Sequence, residues 1–204
     1  MPLATFAEGT QTRTVTFQEL GYEDDTLQGV LATRSYTLNW PQTWIPADGN
    51  KATIYFGHSA ALDRYSSMSV DWNGKRLGSV LLGPENVTGG SIKVDLPTAQ
   101  IKPGYNQLQI RFYMGLAGDY CVDDDNPAVW ASVLAKSTFD LAYTPGKPVL
   151  DLAGFPKPFL DISPLVSSEL TLVVPDQPTP AEMSVVSAIS TRVGQSADWR
   201  PFKL

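Results

Sequence analysis

Apolar side chains in the first two thirds of this chain recur at every second position, in short runs that a proline, a glycine or an Asn-Gly pair then cuts off. That period belongs to strands with one buried face and argues against a helical fold. Leu108, Ile110 and Phe112 alternate with Gln107, Gln109 and Arg111. Tyr36, Leu38 and Trp40 alternate with Ser35, Thr37 and Asn39, and Pro41 ends the run because proline donates nothing to a ladder. Val15 and Phe17, then Ala52, Ile54 and Phe56, then Ile92, Val94 and Leu96 repeat the pattern, and Trp44 falls in a loop. Asn73-Gly74, between Trp72 and Leu77, supplies the positive φ angles of a type I′ hairpin turn. Roughly eight strands before Tyr143, with turns about 10 residues apart, predict a two-sheet sandwich of jelly-roll type.

The stretch from Pro103 to Leu141 organises the rest. A turn and a strand lead into a loop holding the single cysteine, Cys121, and the acidic run Asp123, Asp124, Asp125. A second apolar stretch from Val129 to Leu141 follows, with Trp130 reading as core. Composition then shifts to Pro145, Pro148, Pro156, Pro158 and Pro164, a linker or a wrapped connection. Leu170, Leu172, Val173 and Val174 read as a strand buried on both faces. Thr179-Pro180-Ala181-Glu182 starts a helix with a capping box, and Met183, Val186, Ile189 and Val193 continue it to Gly194. The chain therefore divides into a β-sandwich over 1–143, a Pro-rich connection over 144–168 and the start of an α/β unit over 169–204. The last part is too small to bury its own core and is expected to dock on the sandwich or on a neighbouring molecule.

A formal charge of -6 opposes the phosphate neutralisation that nucleic acid requires, and opposes an anionic membrane surface. One cysteine rules out an internal disulfide and a cysteine-based zinc site. The sequence MPLATFAEGT has no signal-peptide pattern, and no apolar run approaches the ~18 residues of a membrane span. A cytosolic protein and a piece of a secreted or anchored one are both compatible with that.

Gly104-Tyr105-Asn106-Gln107-Leu108 ahead of an alternating strand, then Cys121, an acidic loop, Trp130 and Ser137 before Phe139 and Leu141, resembles the B-type accessory protein family of bacterial cellulose synthase. Phe17, Leu20-Gly21-Tyr22, Tyr36-Thr37-Leu38 before Pro41 and Trp44, Asn73-Gly74 and the segment from Leu172 to Pro180 agree with it in order. The resemblance implies a carbohydrate-binding-like jelly roll followed by a flavodoxin-like α/β domain, with the pair repeated ahead of a membrane anchor in a complete family member. It also implies an extracytoplasmic location, guidance of a nascent β-glucan (cellulose) chain, and partnership with the catalytic synthase subunit. An interaction module that never touches sugar and a β-sandwich carbohydrate-active enzyme are the alternatives.

No set of residues supports catalysis, a metal or a cofactor. His58, the sole histidine, lies in a Gly-His-Ser turn away from Cys121 in sequence, and reads as a satisfied or exposed loop residue. The run from Asp123 to Asn126 lacks the offsets of an EF-hand and reads as a solvated acidic turn in preference to a calcium site. Adjacent carboxylates on one loop also straddle a sugar poorly. Asn86-Val87-Thr88 fits the glycosylation triplet. Aromatics are the binding candidates, since sugar rings stack on them while carboxylates and amides meet the hydroxyls. Trp40 and Trp44 flank the Pro41 turn, and Tyr113 and Tyr120 flank the crest. Trp44, Tyr120, Trp40, Tyr113, Asp123 and Asp124 are therefore the expected carbohydrate contacts, with the loop from Gly115 to Asn126 as the recognition surface and a strand face bearing Tyr36 and Tyr55 as the other location. At ~1–2 kcal/mol per stacked ring, binding is expected in the high micromolar range or above.

Overall fold

The computed structural model describes residues 9–118, 125–148, 151, 153, 155–157, 159–161, 163–166 and 170–197. Eleven strands form the sandwich: β1 (Gln11–Thr16), β2 (Asp25–Gln28), β3 (Leu31–Trp40), β4 (Trp44–Pro46), β5 (Lys51–His58), β6 (Ser67–Trp72), β7 (Lys75–Leu81), β8 (Gly90–Asp95), β9 (Gly104–Tyr113), β10 (Trp130–Val133) and β11 (Thr138–Pro145). Seven make one sheet, in the order β1-β11-β5-β10-β2 with β4 on β11 and β8 on β5. The other four make the second sheet, β3-β9-β6-β7. The extra strands beyond the expected eight are short pieces such as β2 and β4, of four and three residues, too short to show a repeated apolar period in sequence.

Alternation does what the sequence predicts. Ala52, Ile54 and Phe56 of β5 are fully buried, as are Leu108 and Ile110 of β9 facing them from the other sheet's inner side. Asn73 at φ 49° and Gly74 at φ 85° close the β6–β7 hairpin, with a bulge two residues before the turn. Such backbone values are cheap for Gly and tolerated by Asn.

The free edge of β3 is covered by side chains. Tyr22 Oη accepts from Thr37 N at 2.7 Å, and Ser163 Oγ donates to the Asn39 carbonyl. An edge so capped cannot easily recruit another strand. The Ser163 bond also shows where the Pro-rich connection goes. Asp161 Oδ2 accepts from Gln42 N, the Leu165 carbonyl accepts from Arg13, and Leu165 joins the sandwich core at 2% exposure. The connection is thus bonded to the sandwich at Arg13, Asn39 and Gln42.

Beyond it, helix α1 (Pro180–Ala197) begins at the predicted capping box. Thr179 N and Oγ1 both donate to Glu182 Oε2, at 2.6 and 2.8 Å, and these bonds hold the Glu182 carboxyl below its ordinary range. The expected strand at Leu170 to Val174 is a correction: it pairs with none of the described strands, and Val173 stands open to solvent. An apolar run specifies burial, but a strand also needs an edge to pair with, and this run pairs with no edge of either sheet. Jelly-roll sandwich followed by a capped helix is thus the architecture, and it is mainly β.

One core group predicts a stability change. Tyr36 is buried and its hydroxyl has no hydrogen-bond partner among the described residues. Burial, and then the Asp25 carboxylate, push its pKa upward. Tyr36→Phe removes an unpaired buried hydroxyl and is expected to stabilise the fold by about 1 kcal/mol at neutral pH, read by urea unfolding. Because the folded-state pKa is raised, the native state holds the phenolic proton more tightly than the unfolded chain. Stability is complete below the ordinary tyrosine pKa of about 10 and falls as pH rises beyond it. Tyr36→Phe should flatten that alkaline decline, whereas Tyr22→Phe, which loses the bond to Thr37 N, should destabilise at every pH.

Candidate functional site

Of the expected contacts, Trp40 and Trp44 are corrections. Trp40 is at 0% exposure and Trp44 at 8%, so neither presents a ring face to a ligand. Trp44 belongs to a strand, not a loop: β4 lies against the end of β11, with Pro145 opposite Trp44 and Tyr143 opposite Pro46. Its ring stacks on Tyr143 with centroids 3.5 Å apart and planes 3° from parallel. Trp40 meets Trp44 edge to face at 5.9 Å, and its Nε1 donates to the Trp44 carbonyl at 2.7 Å. These rings close one end of the sandwich.

Tyr120, Asp123, Asp124 and Cys121 lie outside the described residues. The described start of their loop is not a surface crest. Gly115 and Leu116 are buried, and Leu116 bridges to Leu62. Exposure begins at Ala117 and Gly118. On the far side, Asp125 and residues Gln28 to Leu31 line a groove of about 540 Å³. The other location is also corrected in part: Tyr36 is core, while Tyr55 is half-buried under Lys136, whose Nζ sits 5.0 Å from the ring centroid. Trp130, expected in the core, is half-buried on β10 because its neighbour Val129 takes the inward position.

Tyr113 is exposed at 48%, as a displayed aromatic should be, and it shares a surface with residues outside the expected contact set. Every second side chain of β9 from Tyr105 to Tyr113 points away from the core. Registers fix the neighbours on each side. Tyr113 lies between Leu31 on β3 and Ser67 on β6, with Leu81 of β7 beyond. Arg111 lies between Thr33 and Ser69, Gln109 between Ser35 and Asp71, and Gln107 beside Thr37. Tyr105, exposed at 60%, sits opposite Asn39 at the other end. The outer face of the four-stranded sheet is therefore a polar field with a tyrosine at each end of its central strand.

The middle of that field is held rigidly. Asp71 is 3% exposed, yet both carboxylate oxygens are paired, Oδ2 with Arg111 Nη2 at 2.8 Å and Oδ1 with Arg76 Nε. Arg111 Nε donates to Gln109 Oε1 at 2.8 Å. These bonds engage two of the five guanidinium donors of Arg111 and fix its plane. The signal was present in sequence as the outward set Gln107, Gln109 and Arg111. What the sequence could not supply was which strands stand beside them.

Chemistry elsewhere is occupied by structure. His58 is buried, with Nδ1 2.9 Å from the Ser59 carbonyl and Nε2 2.7 Å from Asn86 Oδ1. Asn86 itself donates Nδ2 to the Leu81 carbonyl and accepts from Gly83 N, so its amide staples a turn. Among the described residues no cluster of His, Cys, Asp and Glu could hold a metal ion. Among them, too, no helix is long and apolar enough to cross a membrane.

Comparison with known proteins agrees with the resemblance seen in sequence. A cyclic di-GMP-binding protein of Xanthomonas axonopodis pv. citri (strain 306) is 27% identical over 197 residues, 94% of this chain and 24% of that protein. A protein of the same description from Komagataeibacter xylinus is 26% identical over 92% of this chain and 23% of its own length. The chain thus spans about a quarter of the length of these curated relatives. Among solved structures, the CBM36-1 domain of a multidomain xylanase from the hindgut metagenome of Trinervitermes trinervoides matches 68% of this chain and all of its own at 12% identity and a TM-score of 0.33. A carbohydrate-binding module (CBM6cm-2) from Cellvibrio mixtus lichenase 5A, in complex with cellotriose, matches 65% of this chain and 96% of its own at 13% identity and a TM-score of 0.28. Residues 10–145, the whole β-sandwich from just before β1 to the end of β11, match the family described as cellulose synthase BcsB, first CBM domain, and the chain belongs to that family.

Proposed function

We propose that this chain is a non-catalytic, carbohydrate-binding accessory module of a bacterial cellulose synthase complex. In this reading it lies outside the cytoplasm, meets the β-glucan product and contacts the catalytic synthase subunit. The observation that carries it is the outer face of the four-stranded sheet, where exposed tyrosines and pre-positioned amide and guanidinium groups lie on one open surface of a family sandwich. That mixture suits a neutral polyol, which offers apolar ring faces and hydroxyl edges together. A non-catalytic role is supported by His58, whose two ring nitrogens are both engaged inside the turn and cannot serve a nucleophile. We also propose the division of the chain into a sandwich over 1–143, a connection over 144–168 that packs on it, and residues 169–204 opening a second unit.

Affinity electrophoresis tests the sugar reading. Mobility of the chain should fall in gels containing soluble hydroxyethylcellulose and stay unchanged in gels without it. Equal mobility in both gels, together with capture of detergent-solubilised synthase by the immobilised chain, would move the reading to an interaction module without sugar. Release of reducing sugar that survives repurification would instead make it an enzyme.

A further inference from the structure

The two exposed tyrosines of the sheet face stand on the same strand, Tyr105 at its start and Tyr113 at its end. Both project from the same side, since eight positions is an even number of strand steps. Their separation along β9 is about 26 Å, a span that one or two sugar rings cannot bridge and an extended chain of roughly five can. Between them the outward side chains of β9 are Gln107, Gln109 and Arg111, flanked by Thr33, Ser35 and Thr37 on one side and by Ser69 and Asp71 on the other. None of these central groups is a large apolar residue, and each carries a hydrogen-bonding group suited to sugar hydroxyls.

We infer that this face is a track for the interior of an unbranched β-glucan lying along β9, with Tyr105 and Tyr113 as two stacking platforms used together and Arg111, Gln109 and Gln107 meeting the hydroxyls between them. The inference rests on the carbohydrate-binding reading and adds to it the ligand class: an internal stretch of a linear polymer, not a chain end, a monosaccharide or a branched glycan. A pocket selects a terminus by enclosing it, whereas a row of outward side chains along a strand engages whatever passes over it. Charge fits a neutral polymer, because the Asp71 carboxylate already takes bonds from both Arg111 and Arg76 and the chain as a whole is acidic.

Two weak platforms joined by one ligand act as a bivalent site. Binding should therefore strengthen with length and then level off once both rings are covered. Isothermal titration with the cello-oligosaccharide series is the test. Cellohexaose is expected to bind about tenfold more tightly than cellotriose. Tyr105→Ala and Tyr113→Ala should each bring cellohexaose down to the cellotriose level, while changing cellotriose binding by no more than about twofold, because a short ligand uses whichever platform remains. Tyr105 is exposed at 60% and Tyr113 at 48%, so thermal melting should be unchanged and separates lost contact from lost fold. Arg111→Met should weaken both oligosaccharides alike. If cellohexaose binds no more tightly than cellotriose, or if the tyrosine variants keep its affinity, the track is wrong while the carbohydrate reading stands. If neither oligosaccharide nor soluble hydroxyethylcellulose binds, the carbohydrate reading fails and takes the track with it.

Discussion

Replacing Asn106 with alanine is expected to lower the stability of this chain by about 3–5 kcal/mol, a large share of the whole for a domain of this size. Asn106 is at 0% exposure, the third residue of β9, opposite Leu38 of β3. Its Nδ2 donates to the Lys102 carbonyl at 2.7 Å and to the Gly104 carbonyl at 3.0 Å. Its Oδ1 accepts from Lys102 N at 2.9 Å and from Asn73 Nδ2 at 3.0 Å. Asn73 in turn accepts from Gln107 N and donates to the Gln100 carbonyl, so the β6–β7 hairpin and the entry to β9 share one network. Alanine would strand several of these groups where solvent reaches them poorly, at roughly 1–3 kcal/mol for each one left unpaired. Asn106→Asp should be as damaging, because it removes the donor to two carbonyls and places a carboxylate in a dry site. Urea unfolding monitored by tryptophan fluorescence gives the number. A loss below about 1 kcal/mol would mean that the entry to β9 re-forms its bonds without the amide.

Asn106 also shows what a sequence of this kind discloses. It stands within Gly104-Tyr105-Asn106-Gln107-Leu108, the segment that carried much of the family resemblance, but nothing in those letters says that the amide faces inward. Ser137 is similar: it is fully buried, accepting from Tyr55 N at 3.0 Å and donating to the Leu134 carbonyl at 2.7 Å. Local rules reached the inward sets of the long strands, because burial on one face imposes a period of two. They also reached the Asn73-Gly74 hairpin and the Thr179 to Glu182 helix start, where backbone conformation and side-chain chemistry lie within four residues of each other. They did not reach the pairing of strands, which is decided by contacts far apart in sequence. β9 stands between β3 and β6, and that order alone turns Gln107, Gln109 and Arg111 from an ordinary solvent face into the centre of a broad surface. Asp71 was invisible for the same reason, since its partners reach it from β7 and β9.

Trp44 marks the opposite error, and it supplies a decisive experiment. A tryptophan just past a proline turn reads as a displayed platform, yet Tyr143, ninety-nine positions away, lies flat against its ring. Trp44→Ala is expected to cost about 3–5 kcal/mol through the lost burial and the cavity left between Trp40 and Tyr143. For a chain of this length that corresponds to a melting temperature lower by on the order of 10 °C. The Trp40 Nε1 bond to the residue 44 carbonyl involves backbone and can persist, so the fold should survive in weakened form. Measured at a temperature where the variant is still folded, its affinity for cellohexaose should stay within about twofold of the parent. A platform residue would behave in the reverse way, with melting unchanged and binding lost. Trp44→Phe separates packing from ring size: it keeps an aromatic face for Tyr143 and should recover much of the stability while leaving affinity where it was. If Trp44→Ala melts with the parent and no longer binds, the ring is reaching sugar after all, and the end of the sandwich near β4 becomes the site in place of the face along β9.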